Sequence, residues 1–92
     1  MTSPHDILAK CADLIGDRGQ DYGGIEDNFR RISIIASTIL NKAISPHDAA
    51  IILLSTKLAR MAGSQNKEDN YLDGINYLAF AADLRKLKDT DK

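Results

Sequence analysis

The 92-residue chain has one cysteine, two prolines and no tryptophan, and these scarcities exclude several classes of protein. Cys11 has no second cysteine with which to form an intrachain disulfide, which argues against a disulfide-stabilised secreted fold. The longest uninterrupted apolar run, residues 49–54, is far shorter than the ~20 residues that span a bilayer. The first residues also lack a basic region followed by an apolar core. We therefore expect a cytoplasmic protein that does not enter a membrane.

The chain also has no strong excess of charge of either sign. Its net charge is -1, which gives no basic field to attract nucleic acid, so we expect no nucleic acid partner. Hydrophobic residues make up 43% of the chain, which is too apolar for a disordered protein. A chain this short buries only about two thirds of its unfolded surface, so we predict one helical domain over 1–92 that gains stability as a homo-oligomer.

Apolar residues recur at helical spacing in four segments, which predicts a compact all-α bundle of about four helices. Ser3 before Pro4 and Ser45 before Pro46 are typical helix starts, because serine caps free N–H groups and proline fits the first helical position. Gly16 and Gly63 are predicted to end the first and third helices. The predicted helices cover roughly 4–15, 25–41, 46–62 and 67–87, and residues 88–92 are predicted to form a frayed tail.

Four of the six glycines fall within residues 16–24, which we interpret as a loop. Successive N–H groups in such a loop can bind an anion, and Arg18, Asp21 and Tyr22 are candidate ligand-binding residues within it. The alternative is a plain connector whose Tyr22 packs on the bundle. Asn28, just beyond the loop, is a further candidate that either faces solvent or faces a ligand.

The third and fourth helices are joined by a short polar turn, residues 63–67, so we predict that they are antiparallel neighbours. This places Lys57 and Arg60 beside Asp69 and Asp73. Asn76 and Tyr77 continue the polar stripe along the fourth helix. In a structural reading the cations and acids neutralise each other. In a functional reading Lys57 and Arg60 bind phosphate, while Asp69 and Asp73 bind Mg²⁺ or orient a base or sugar.

Several short motifs resemble a small all-helical family of unknown function found in bacteriophages and prophages. The resemblance covers roughly residues 13–83, in order and with near-constant spacing. It is carried by Asp17-Arg18, Asp21-Tyr22-Gly23, Asn28-Phe29, Arg31-Ile32, the run 45–54, Lys57-Leu58-Ala59-Arg60, Asp69-Asn70 and Asp73-Gly74-Ile75-Asn76-Tyr77. This family is distantly similar to the all-α (MazG-like) nucleoside triphosphate pyrophosphohydrolases, which bind Mg²⁺ through clustered acids on two helices.

The chain departs from the acidic pattern of those enzymes. The third helix has only Asp48 before six apolar residues, and Asp69 and Asp73 are spaced by four instead of three. Metal-assisted hydrolysis needs an activated water as well as neutralised phosphate oxygens, and two carboxylates with no evident general base supply little of that. The residues therefore favour a protein that binds a nucleotide without cleaving it, and we name no catalytic residue.

The phage resemblance implies a role in the host cytosol, where a nucleotide-binding protein can sequester a second messenger made by host defence. The first alternative is a Mg²⁺-dependent pyrophosphohydrolase that uses Asp69 and Asp73 with Glu26 or Asp48. The second is a ligand-free helical module that binds another protein, in which case the polar stripe is structural.

Overall fold

A computed structural model describes residues 3–21 and 24–87 and confirms the all-α prediction. These ranges contain four α-helices and no strand: α1 (Pro4–Asp21), α2 (Ile25–Leu40), α3 (Pro46–Gly63) and α4 (Glu68–Leu84). The molecule is elongated, with principal dimensions of 45 × 28 × 21 Å. None of the helices described is both long and apolar enough to cross a membrane. The predicted frayed tail, 88–92, lies outside the described residues.

The first helix begins as predicted. The Ser3 hydroxyl oxygen accepts a hydrogen bond from the Asp6 backbone N–H at 3.1 Å, and the Asp6 carboxylate accepts one from the Ser3 N–H at 3.3 Å. This reciprocal pair satisfies two N–H groups that the first helical turn leaves without partners.

The predicted end of this helix at Gly16 is wrong, because α1 continues to Asp21. Glycine within a helix costs only about 1 kcal/mol relative to alanine, which does not force the helix to stop. Much of the glycine-rich segment predicted as a loop is therefore helical. Gly24, which precedes α2, has a φ of 122° that is favourable for glycine and strained for other residues.

Two local structural features define the connection between α2 and α3. Asn41 ends α2 in the left-handed conformation at φ 53°, and asparagine tolerates that conformation better than most residues. The Ser45 hydroxyl then accepts a hydrogen bond from the Asp48 N–H at 3.0 Å, and Pro46 follows at the first position of α3. These contacts confirm Ser45 as the predicted start of the third helix.

The hairpin of α3 and α4 forms the centre of the fold. Its core contains small residues from the start of α3 and apolar residues from the end of α4: Ala49, Ala50, Ala81 and Leu84. The opposite ends of the same two helices meet through Lys57 and Asp73. Both contacts require antiparallel helices, which confirms the predicted arrangement.

The other two helices attach to this hairpin at different places. Phe29 of α2 contacts the rings of Tyr77 and Phe80, with centroid distances of 6.4 and 5.7 Å. The Cys11 thiol of α1 lies 3.7 Å from the Leu72 carbonyl oxygen, to which it donates a weak hydrogen bond. Since Cys11 is 3% exposed, it is the core residue that its apolar spacing predicted.

The prediction that the third helix is central holds on only one side of α3. Ala49 and Ala50 are buried, whereas Ile51, Ile52 and Leu58 are 38%, 47% and 53% exposed. A helix that is apolar around most of its circumference is ordinarily covered on all sides. The described chain covers about half of α3.

Candidate functional site

The best-defined polar contact within the hairpin joins Lys57 to Asp73. The Lys57 Nζ lies 2.9 Å from a carboxylate oxygen of Asp73, and the two side chains are only 13% and 12% exposed. Lys57 projects from the second half of α3, and Asp73 lies in the second turn of α4. Because little water screens this pair, its Coulomb attraction is stronger than that of an exposed pair. It is the contact that the structural reading of the stripe predicts.

Asp73 also influences the thiol on α1. Burial raises the pKa of the Cys11 thiol, and the negative charge of Asp73 raises it further. The carboxylate of Asp73 therefore acts on both α1 and α3. This position makes Asp73 the acid most closely connected to the interior of the fold among the predicted site residues.

One turn beyond Asp73, Asn76 carries an unusual side chain. Asn76 is 3% exposed, and its buried Oδ1 atom has no hydrogen-bond partner within residues 3–21 and 24–87. A buried polar atom of this kind costs about 1–3 kcal/mol relative to a hydrogen-bonded one. Native folds pair nearly all such atoms, so this one requires an explanation.

Tyr77, the next candidate, belongs to an aromatic cluster. Its ring lies edge-on to Phe29 at 6.4 Å and to Phe80 at 6.3 Å. Such edge-to-face pairs stabilise a core beyond their buried area. Tyr77 therefore has a packing role in addition to any contact with a ligand.

Arg60 and Asp69 lie at the end of the hairpin nearest its turn, and both are exposed. The predicted pairing of these two side chains is not among the ion pairs formed within residues 3–21 and 24–87. The polar stripe of α4 thus runs from an exposed acid, Asp69, through the paired Asp73 to the buried Asn76. It leads from solvent into the interior.

The remaining predicted site residues belong to the end of α1 and the start of α2. Arg18 and Asp21 are within α1, but their side chains lie outside the described part of the chain, and so does the whole of Tyr22. Asn28 is partly buried in the first turn of α2, where its backbone N–H donates to the Gly24 carbonyl at 3.2 Å. Of these four, the structure places only the Asn28 side chain.

The predicted magnesium ligands, Asp69 and Asp73, lie one helical turn apart on α4. Asp73 already holds the Lys57 ammonium group at 2.9 Å. In the described part of the molecule, no group of three or more histidine, cysteine, aspartate or glutamate side chains is placed to hold a metal ion. Mg²⁺ usually keeps several waters and one or two carboxylates, so the two aspartates stay a prediction.

Sequence reasoning missed contacts made by exposed side chains between distant parts of the chain. Lys10 of α1 pairs with Glu68 of α4 at 3.1 Å, and Lys86 pairs with Glu26 of α2 at 3.2 Å. Hydrogen bonds to the carboxylates of Asp83 and Glu26 raise the pKa of Lys86. No local pattern identifies such partners, because they depend on how the helices cross.

Comparison with known proteins supports the family that the motifs indicated. A family described as Domain of unknown function (DUF6378) matches residues 6–85. The Gene 55 protein of Mycobacterium phage D29 is 35% identical over 72 residues, which cover 77% of this chain and 48% of that relative. The chain thus spans about half the length of the curated relative it matches. No solved structure matches the chain.

The family match includes all four helices except the first two residues of α1, and with it both halves of the hairpin. The relative comes from a bacteriophage, as the resemblance implied. The chain is therefore a member of the DUF6378 family, a small all-helical family with a bacteriophage relative.

Proposed function

We propose that the chain binds a nucleotide-like phosphorylated ligand at the polar stripe of the α3–α4 hairpin and does not cleave it. In an infected cell, such a protein sequesters a nucleotide second messenger made by host defence. The single observation that carries the proposal is the buried Oδ1 atom of Asn76, which has no hydrogen-bond partner in the part of the chain that the structure describes.

Asn76 Oδ1 is an acceptor that receives no hydrogen bond from the described residues, and nucleobases carry amino and imino donors. An asparagine amide pairs well with a base edge, as its recognition of adenine in DNA illustrates. A bound base that donates to Oδ1 removes the desolvation cost of the empty acceptor. The ligand therefore gains affinity by donating a hydrogen bond to the buried Oδ1 acceptor of Asn76.

Lys57 and Arg60 supply positive charge for the phosphate group. Arg60 is exposed, and its planar guanidinium can donate two parallel hydrogen bonds to phosphate oxygens. Lys57 is held by Asp73, so a phosphate must compete with that carboxylate for its ammonium group. When Lys57 turns towards phosphate, its contact with Asp73 separates. In this proposal, that movement opens the way to Asn76, which lies one turn beyond Asp73 on α4.

Binding without turnover follows from the few carboxylates near the stripe. Hydrolysis of a triphosphate needs metal-held oxygens and an activated water. Asp69 and Asp73 are two acids on one helix, and one of them is engaged with Lys57. The distant resemblance to MazG-like enzymes supports a nucleotide as the ligand more than it supports the reaction.

The proposal can be tested by thermal-shift measurements with a panel of linear and cyclic nucleotides. A ligand present at 100 times its Kd adds about 2.7 kcal/mol to the free energy of unfolding, which raises the melting temperature measurably. We expect stabilisation by at least one ligand. Arg60→Ala should reduce the shift, whereas Arg85→Ala, which removes an exposed arginine beyond the end of α4, should leave it unchanged.

The same panel with Mg²⁺, followed by pyrophosphate release, tests the enzymatic alternative. Release at a rate proportional to protein concentration and lost in Asp69→Ala would establish pyrophosphohydrolase activity and contradict binding without turnover. If no nucleotide stabilises the protein and none is cleaved, the ligand proposal fails. The remaining hypothesis would then be a helical module that binds another protein and no small ligand.

A further inference from the structure

The side of the hairpin away from Phe29 and Cys11 carries two matching apolar stripes. On α3 the residues at positions i, i+4, i+7 and i+11 are Ile51, Ser55, Leu58 and Ala62. On α4 the same spacing selects Tyr71, Ile75, Leu78 and Ala82. This is the alternating three- and four-residue spacing by which helices pack against partner helices. We call these eight residues the outer face.

The two stripes lie side by side. Leu54 sits between Ile51 and Leu58 on α3, and Gly74 sits between Tyr71 and Leu78 on α4. A Cβ atom placed on Gly74 would lie 3.6 Å from the Leu54 Cδ1 atom, so these two positions are in contact. The stripes that flank them therefore form one continuous surface.

The outer face is exposed and uncharged. Its large side chains, Ile51, Leu58, Tyr71 and Leu78, are 38%, 53%, 36% and 56% exposed. None of its eight residues is acidic or basic. Together the four large side chains expose on the order of 400 Å², which is within the size range of the largest apolar patch on a typical monomer, and that patch is often functional.

We propose that the outer face packs against the outer face of a second copy of this chain, related by a two-fold axis. An uncharged stripe repeated on two antiparallel helices is self-complementary, as a two-fold interface requires. The four large side chains alone supply about half of the ~800 Å² that each partner of a standard interface buries, and the adjoining Ser55, Ala62, Ile75 and Ala82 extend the surface.

The thin core of the single chain supports a second copy as the occupant. Within residues 3–21 and 24–87, Leu84 is the one large side chain that is fully buried, and three of the five residues in the core cluster are alanine. A short chain buries a smaller fraction of its surface than a long one, so burial against a second copy adds stability that the single core supplies only modestly. In the proposed dimer, two hairpins form a four-helix layer in which α3 is covered on both sides.

Sedimentation equilibrium of the wild type and three glutamate variants tests this interface. We expect a wild-type dimer, and Leu58→Glu and Leu78→Glu should each weaken dimerisation at least 100-fold, because a buried unpaired charge is strongly unfavourable. Ile39→Glu is the matched control, since Ile39 is a 74% exposed aliphatic residue on α2, outside the outer face. It should remain dimeric.

A cysteine cross-link provides a second readout that does not depend on a disruptive charge. Cys11 is 3% exposed and is the one cysteine of the chain, so a cysteine introduced at Leu58 or Leu78 reports on the outer face. We expect at least one of these variants to form a covalent dimer under mild oxidation, and Ile39→Cys to form none. A monomeric wild type, or dissociation caused equally by Ile39→Glu, would overturn the proposal.

Discussion

The two sides of the α3–α4 hairpin differ in what they contain and in what the single chain does with it. The inner side, towards α1 and α2, carries a polar stripe that includes the Lys57–Asp73 pair and the buried Asn76. The outer side carries apolar residues that face solvent, such as Leu58 and Leu78. Besides their ordinary buried apolar core, the same two helices therefore enclose a few polar groups and expose several large apolar ones.

Both features depart from what a self-sufficient fold requires. An enclosed acceptor without a donor is unfavourable, and so is an exposed apolar stripe. We propose that a group outside the described chain completes each side. On the inner side this group would be a hydrogen-bond donor of a ligand, and on the outer side it would be the apolar surface of a second copy.

The largest expected effect separates two leucines of α4. Leu84 is 1% exposed and Leu78 is 56% exposed. Leu84→Ala should lower the free energy of unfolding by about 2–5 kcal/mol at any protein concentration. Leu78→Ala should cost less than about 0.5 kcal/mol in the dilute monomer and more as concentration rises. Urea unfolding at two protein concentrations measures the loss for each variant. If Leu78→Ala lowers the free energy of unfolding equally at both protein concentrations, an interface at the outer face is contradicted.

The next effect concerns the enclosed ion pair. Asp73→Ala leaves the Lys57 ammonium group without its carboxylate, so we expect a loss of about 1–3 kcal/mol with the helical fold retained. The double variant Lys57→Met with Asp73→Leu removes both charges and should recover most of that loss. Circular dichroism during urea unfolding gives these values. Complete unfolding of Asp73→Ala would make the pair essential to the fold and remove Asp73 as a separable ligand contact.

A smaller change of opposite sign is expected at Asn76. Asn76→Leu replaces a side chain whose buried Oδ1 finds no donor within the described residues by an apolar side chain of similar size, so it should raise the free energy of unfolding by about 1 kcal/mol. The same variant should lose its thermal response to nucleotides. A residue that lowers stability but is required for binding is typical of a functional site. If Asn76→Leu destabilises the protein instead, the amide has a structural partner. The inner side of the hairpin would then not need a ligand to satisfy it.

The smallest effect is the dependence of stability on pH through Cys11. Burial and the charge of Asp73 raise the pKa of this thiol in the folded state, so the folded chain keeps a proton that the unfolded chain loses. Stability should therefore fall as pH rises above the ordinary thiol pKa, by less than about 1.4 kcal/mol per pH unit. Comparison of melting temperatures with Cys11→Ala between about pH 8 and about pH 10 isolates this slope. If folding did not change the pKa of the thiol, the melting temperatures of the two proteins would change equally with pH.

Much of the fold could be predicted from local sequence. Ser3, Ser45 and Pro46 carry their capping information within one helical turn, and the structure confirms each helix start. The short polar turn after Gly63 fixes α3 and α4 as antiparallel neighbours. The end of α1 could not be placed in this way, because the small helical penalty of Gly16 does not decide whether the helix stops there.

The candidate site was predictable only in part, because local sequence does not determine how the helices cross. Antiparallel pairing places Lys57 near Asp73 before any coordinates are known, and the structure confirms their contact. The burial of Asn76 without a partner depends on how α1 and α2 cross the hairpin. The exposure of Leu58 and Leu78 likewise depends on which side of the hairpin α1 and α2 leave uncovered. The residue spacing within α3 and α4 does not predict which side that is.

The most direct test of the account is calorimetric titration of the wild type and Asn76→Leu with the nucleotide that most stabilises the wild type. We predict saturable binding to the wild type, with affinity at least tenfold weaker in the variant although its fold is as stable or more so. Equal affinity for both proteins would show that the Asn76 Oδ1 atom does not recognise the ligand.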